Sequence, residues 1–215
     1  MQAIKWIVVV VLAASAAVAV AYPLLILPWH TRWGATAAEL SQSLPGDELV
    51  PQPKMVATRA ISIQAPPAQV WAWLVQIGQG RAGFYSYDWL ENLAGCDIHS
   101  VDRIVPELQG LEAGDKVRMT PESSPMPPPW TVVAVDPARA LILENGGPAE
   151  IAHSSWAFIL QDAAPGATRL IVRSRGDYQP GLMNAVMWRT VEPISFVMER
   201  GMLRGLRWRA EGAQR

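Results

Sequence analysis

The sequence predicts an α+β fold: a first strand, two short helices, an antiparallel run of strands and a long C-terminal helix. Three observations predict it. Residues 58–63 alternate in polarity, whereas Val70, Trp71, Leu74 and Val75 share one helical face. Strand-like runs follow at 116–119, 130–135, 140–144, 154–160 and 168–175, with Gly, Pro, Asp and Asn between them, as in an antiparallel meander. From about 180 to 209 the helical period returns. Ahead of this domain, an apolar run predicts one N-terminal transmembrane helix.

The composition divides accordingly. Of 215 residues, 50% are hydrophobic and 17% charged, with a formal net charge of −1. That balance argues against a nucleic-acid binder driven by global charge. A single cysteine, Cys96, excludes a disulfide framework within the chain. Residues 1–29 hold 24 hydrophobic residues and one charge, Lys5. The uncharged stretch from Trp6 to Leu27 would cover about 33 Å as a helix, and a bilayer's hydrocarbon core is about 30 Å thick. Trp6, Trp29 and Trp33 flank it, as rings at a membrane interface do. The reading is a single-pass anchor over 1–30, with the membrane as partner through 6–27. Lys5 and the amino terminus almost balance Arg32, and the domain is placed outside the cytoplasm. A cleaved signal peptide ending at Ala19-Val20-Ala21 competes with this reading. The apolar run continues past that site through Leu24-Leu25-Ile26-Leu27, which favours the anchor.

Residues 31–54 form a short helix and linker. Thr36 and Glu39 have capping-box spacing, so a helix should run to about Ser43 and stop at Pro45-Gly46. Pro51 and Pro53 make a stiff connector. It either spaces the domain from the membrane or docks on it. The domain proper covers 55–211. Pro67 suits the first turn of a helix that Gly78 ends. A second short helix runs from Asp88 to Leu93, started by Ser86 or Asp88. The prolines of 125–129 force a loop. In the last helix Pro193 should produce a kink. Beyond it Ile194, Val197, Met198, Gly201, Met202 and Gly205 form one stripe. Its two glycines imply either close backbone packing or empty volume.

The stretch from Ala60 to Trp71 (AISIQAPPAQVW) resembles the opening of the START/Bet v 1-like superfamily, also called SRPBCC or polyketide cyclase/dehydrase-like proteins. Residues 73–78, residues 83–93 and the Phe196-Val197-Met198-Glu199-Arg200 ending are similar to a bacterial branch of it. The resemblance covers roughly 55–210. It implies a helix-grip fold, in which a curved sheet grips the long helix around a hydrophobic cavity. It implies no shared catalytic motif, because members range from lipid carriers to cyclases.

Several groups are candidates for ligand contact. Arg81, Tyr85, Tyr87, Asp88, Trp89 and Asn92 form a polar-aromatic cluster suited to an apolar ligand with a polar head, or to packing of the short helices. Trp156 is a candidate cavity wall. Arg169, Arg173 and Arg175 share one strand face, so Arg173 either fixes an anionic head group or faces water. Met198, Gly201 and Met202 complete the ligand set. Gly78 to Gly83 matches GxGxxG but follows a helical segment and lacks βαβ units, so it reads as a loop. His30, His99 and His153 have no metal-ligand spacing, and Cys96 has no evident base partner. No cofactor is expected. The favoured function is membrane-anchored binding or transfer of a hydrophobic small molecule or lipid. The alternatives are a cyclase/dehydrase-like enzyme using Asp88, Tyr85 or His99, and an interaction domain without a pocket.

Overall fold

The computed structural model describes residues 2, 5–7, 9, 10, 13, 21–124, 127–146 and 152–212. One six-stranded antiparallel sheet organises the domain. Its strands are β1 (Met55–Ile63), β2 (Lys116–Val117), β3 (Trp130–Asp136), β4 (Ala140–Gly146), β5 (Ala152–Ala164) and β6 (Ala167–Tyr178). Their order is β1-β6-β5-β4-β3-β2. The meander from β2 to β6 follows the sequence, and β1 closes the far side by pairing with β6 from Met55↔Gly176 to Ile63↔Thr168.

Two five-residue helices, α1 (Leu27–Thr31) and α2 (Ala37–Ser41), precede the sheet. Between β1 and β2 lie α3 (Pro67–Leu74) and α4 (Asp88–Leu93), and α5 (Leu182–Gly212) ends the domain. The sheet, the order of elements and the long last helix match the helix-grip arrangement expected from the sequence. The first helix of the domain ends at Leu74 rather than at Gly78, and α4 has no side-chain cap. The α2 capping box forms in full, with the Thr36 amide on Glu39 and the Glu39 amide on Thr36.

Helix α5 crosses one face of the sheet. Its second half buries Met202, Leu203, Leu206 and Ala210 against Ile61, Ile63, Leu170, Phe158 and Leu74. The two stripe glycines serve close packing. A Cβ on Gly205 would stand 2.0 Å from the Tyr85 carbonyl oxygen, and one on Gly201 would stand 2.9 Å from the Tyr87 ring. The space these glycines would leave is filled by residues 85–87. Pro193 sits inside α5 without ending it. Lacking an N–H, it leaves the Arg189 carbonyl without its helical donor. The Tyr22 hydroxyl donates to that carbonyl at 3.2 Å.

The opposite face carries a second core of Leu44, Ala60, Ala140, Ile142, Ala157, Ile159 and Ile171. Residues 33–50 cover it as a strap, so the linker docks on the domain. Three arginines of β6 hold the strap, and this corrects both earlier readings of that face. Arg169 clasps the Glu39 carboxylate at 2.7 and 2.9 Å and the Gly34 carbonyl at 2.6 Å. Arg173 is 3% exposed. It donates to the Thr58 hydroxyl, the Glu39 and Gln42 carbonyls and Asp47. Arg175 donates to the Val50 carbonyl and pairs with Asp47 at 3.2 Å. These contacts place Arg173 on the far side of the sheet from α5.

The strap also guards an edge. The Ala60 amide on β1 donates to the Trp33 carbonyl at 3.1 Å. The neighbouring Gly34, at φ +73°, approaches so closely that a Cβ would lie 2.1 Å from the Ala60 carbonyl oxygen. An unpaired strand edge is thereby covered.

Part of the expected membrane span, residues 8, 11, 12 and 14–20, lies outside the described residues. Among the described residues no helix is long and apolar enough to cross a membrane. The single-pass location and the membrane partner are therefore corrected. The end of the apolar run is engaged by the domain itself. Tyr22–Ile26 form a π-helical turn that leads into α1, where His30 and Thr31 are buried. Trp29 meets Phe196 edge to face, and Trp33 lies under Arg200 and Arg204.

Removing the Arg173 charge while keeping bulk, as in Arg173→Met, would leave the Glu39 and Gln42 carbonyls without this donor and Asp47 with Arg175 as its remaining charged partner. The expected cost is about 3 kcal/mol in chemical denaturation, with new proteolytic cleavage within residues 33–50.

Candidate functional site

Inward-facing side chains of the sheet meet α5 in two zones, one charged and one aromatic. The charged zone starts at Arg59. It shares its strand face with Ile61 and Ile63, yet it is 1% exposed. Its Nε donates to the His30 carbonyl at 2.8 Å, and its terminal nitrogens pair with Glu192 and, at 2.9 Å, with Glu199. The ring of Phe196, one turn from each glutamate, lies 5.2 Å beneath the guanidinium. His30 Nδ1 lies in close contact with Glu192 Oε2, and among the described residues neither ring nitrogen of His30 has a hydrogen-bond partner. Burial pushes the Glu192 carboxyl up, with Arg59 opposing and Glu199 adding to the rise. Burial also pushes the His30 imidazole down, and the Arg59 charge acts the same way.

The aromatic zone adjoins it. Trp156 on β5 lies 4.7 Å from Phe158, 5.5 Å from Trp130 and 6.4 Å from Phe84, measured between ring centroids. Its indole N–H donates to the second Glu199 oxygen at 3.1 Å. Glu199 thus joins the two zones. Towards the start of α5 the same sheet face opens: Trp130, Ser154, Ser174 and Tyr178 are only half-buried, whereas Phe158, Leu170 and Val172 are sealed.

The other sequence-derived candidates divide among three tasks. Tyr87 and Met202 meet or flank Gly201 on the inner side of α5, and Met198 is half-buried one turn earlier. Arg81 is spent on carbonyls, donating to those of Val75, Ile77 and Leu108. Asp88 and Asn92 hold the following loop: Asp88 accepts from the Ser100 amide and hydroxyl, and Asn92 bonds both backbone groups of Ile98. Trp89 points outward and is 70% exposed.

Tyr85 sits at φ +60° in this loop. Its hydroxyl accepts from Gln76 at 2.8 Å and donates to the Trp73 carbonyl at 3.2 Å, and Arg209 lies over its ring. The acid–base candidates do not converge. Tyr85 faces Gln76, Asp88 faces Ser100, and the exposed His99 pairs with Asp97. Among the described residues no group of three His, Cys, Asp or Glu could hold a metal ion. Burial raises the Cys96 thiol. The Gly78–Gly83 segment forms a loop bridge, in keeping with its reading as a loop.

Arg59, His30, Glu192 and Glu199 were absent from the sequence-derived set. The available signals were an arginine in phase with Ile61 and Ile63, and two acids seven residues apart on one helix face.

An open cleft of about 540 Å³ lies elsewhere, on the strap side by the β3–β4 turn, lined by Pro45, Pro67, Asp136, Arg139, Ile159 and Asp162 among others.

No protein-family model matches the chain, and no curated protein does. Solved structures resemble it at low identity. Zhui aromatase/cyclase from Streptomyces sp. R1128 is 16% identical with a TM-score of 0.44, covering 75% of this chain and 96% of that one. A Thermobifida fusca protein is 14% identical with a TM-score of 0.45, covering 72% and 92%. DynU16, from the dynemicin biosynthetic locus, is 16% identical with a TM-score of 0.42, and here the match spans 72% of this chain but 48% of that one.

Burial moves the Tyr85 hydroxyl from 10.0 to about 12. A raised folded-state value stabilises fully below pH 10, and the gain is lost as pH climbs from 10 to 12. Tyr85→Phe should cost about 1 kcal/mol at pH 7. It should also remove part of the stability decline over that alkaline window, as measured by denaturation at pH 7, 10 and 12.

Proposed function

We propose that the protein binds a hydrophobic small molecule or lipid between the sheet and the first half of α5. The observation that carries this reading is the aromatic wall of Trp130, Trp156 and Phe158 beside a half-open sheet face. Apolar walls with a few placed polar groups suit a ligand that must leave water and still be oriented. Trp130, Trp156 and, at the inner end, Met198 would touch the apolar body of the ligand, while Tyr87 and Met202 stay in the packing around Gly201. Ser154 and Ser174 would meet its polar end. Glu199 would act through Trp156 by fixing the indole plane, since both of its oxygens are engaged. Arg81, Asp88 and Asn92 would contribute at one remove, by holding the loop that carries Tyr85 and Tyr87.

A second reading is favoured by a different observation. Leu182, Met183, Val186, Met187, Val191, Ile194 and Val197 are exposed on the outward side of α5. A surface of this kind marks interaction domains.

Native mass spectrometry of the full chain purified from its host separates the two. Binding predicts a co-purifying adduct of small-molecule mass, with apparent affinity reduced about tenfold in Trp130→Ala, the size expected for losing part of a buried aromatic contact. The absence of any adduct, together with association of chains on concentration, would replace the binding reading with the second.

A further inference from the structure

The two halves of α5 are held by different parts of the chain. The second half is bonded to the domain around it: Arg209 to Asp102, the Ala210 carbonyl to Gln69 and the Glu211 carboxylate to the Gln64 amide. The first half has Trp188 stacked on Tyr178 at 5.9 Å. Asn184 donates to the Gln179 carbonyl and Glu192 pairs with Arg59 of β1, and two further contacts come from residues 22–31. The Tyr22 hydroxyl caps the Arg189 carbonyl, and His30 meets Glu192. Just past the joint, Phe196 lies 5.1 Å from Trp29 and 5.7 Å from His30. The joint is chemically weak, because Pro193 supplies no N–H to the helical ladder. Glu192 immediately precedes that joint and reaches both His30 and Arg59.

We infer that residues 22–31 are a catch that holds the first half of α5 against the sheet, with Glu192 as the shared contact and Pro193 as the hinge. Displacing the catch removes the donor on Arg189 and one partner of Glu192 together. The second half of α5 keeps its own bonds and stays in place. In the binding reading, on which only the purpose of the catch rests, its release parts Trp188 from Tyr178 at the open end of the sheet face.

Hydrogen exchange followed by mass spectrometry on the full chain tests this without any ligand. In His30→Leu the amides of residues 182–192 should exchange about tenfold faster, with those of 199–210 unchanged. Tyr22→Phe removes one hydroxyl near the surface and should accelerate the same segment about threefold, which keeps the test decisive if His30→Leu does not fold. Unchanged exchange of 182–192 in Tyr22→Phe, or equal acceleration of both halves, would overturn the catch. A missing adduct in native mass spectrometry with the segmental acceleration intact would sink the binding reading alone.

Discussion

A guanidinium buried on an edge strand is the constraint around which this fold is arranged. Leaving a charge unpaired in an apolar interior costs several kcal/mol, so Arg59 must be answered on every side. The answers come from two elements, α1 and α5. The α1 helix supplies a backbone carbonyl, α5 supplies Glu192 and Glu199, and Phe196 supplies a ring face. Through Glu199 the same charge fixes the Trp156 indole. The geometry of the aromatic wall is thus coupled to the docking of the chain's first helix.

Both faces of the sheet are covered, by unlike means. The α5 side is closed mainly by apolar packing with one ionic knot. The other side carries a small apolar patch rimmed by Arg169, Arg173 and Arg175, whose acidic partners, Glu39 and Asp47, both lie on the strap. Glu39 shows the coupling directly: it completes the α2 cap and clasps Arg169, and that clasp holds its carboxyl below the usual range. A local helix signal and a long-range tether share one side chain.

Local chemistry was legible in the sequence. Alternation, helical spacing, the Thr36–Glu39 box and turn residues place nearly every element to within a few residues. What required partners distant in sequence was not. The parity of Arg169, Arg173 and Arg175 put them on one face, but their acceptors lie more than 120 residues away. Arg59 carried the phase of a core residue and the chemistry of a surface one, and only the acids of α5 resolve that conflict. Gly201 and Gly205 announced an unusual approach without saying of what, because the residues that fill it belong to a loop over a hundred positions earlier. The apolar start of the chain has the composition of a bilayer segment, yet its final turns meet Phe196 and Arg59.

The pairing of β1 with β6 has a consequence for the order of events during synthesis. Met55 finds its partner at Gly176, and Arg59 finds Glu199 140 residues later. The strap and β1 leave the ribosome well before the strand and helix they dock on. Contacts of such long sequence separation slow folding, since loop closure must precede their reward. The meander from β2 to β5 can form meanwhile from near neighbours. Residues 22–63 therefore stay without their partners until β6 and α5 have emerged, which makes early engagement by a chaperone the natural complement of this topology.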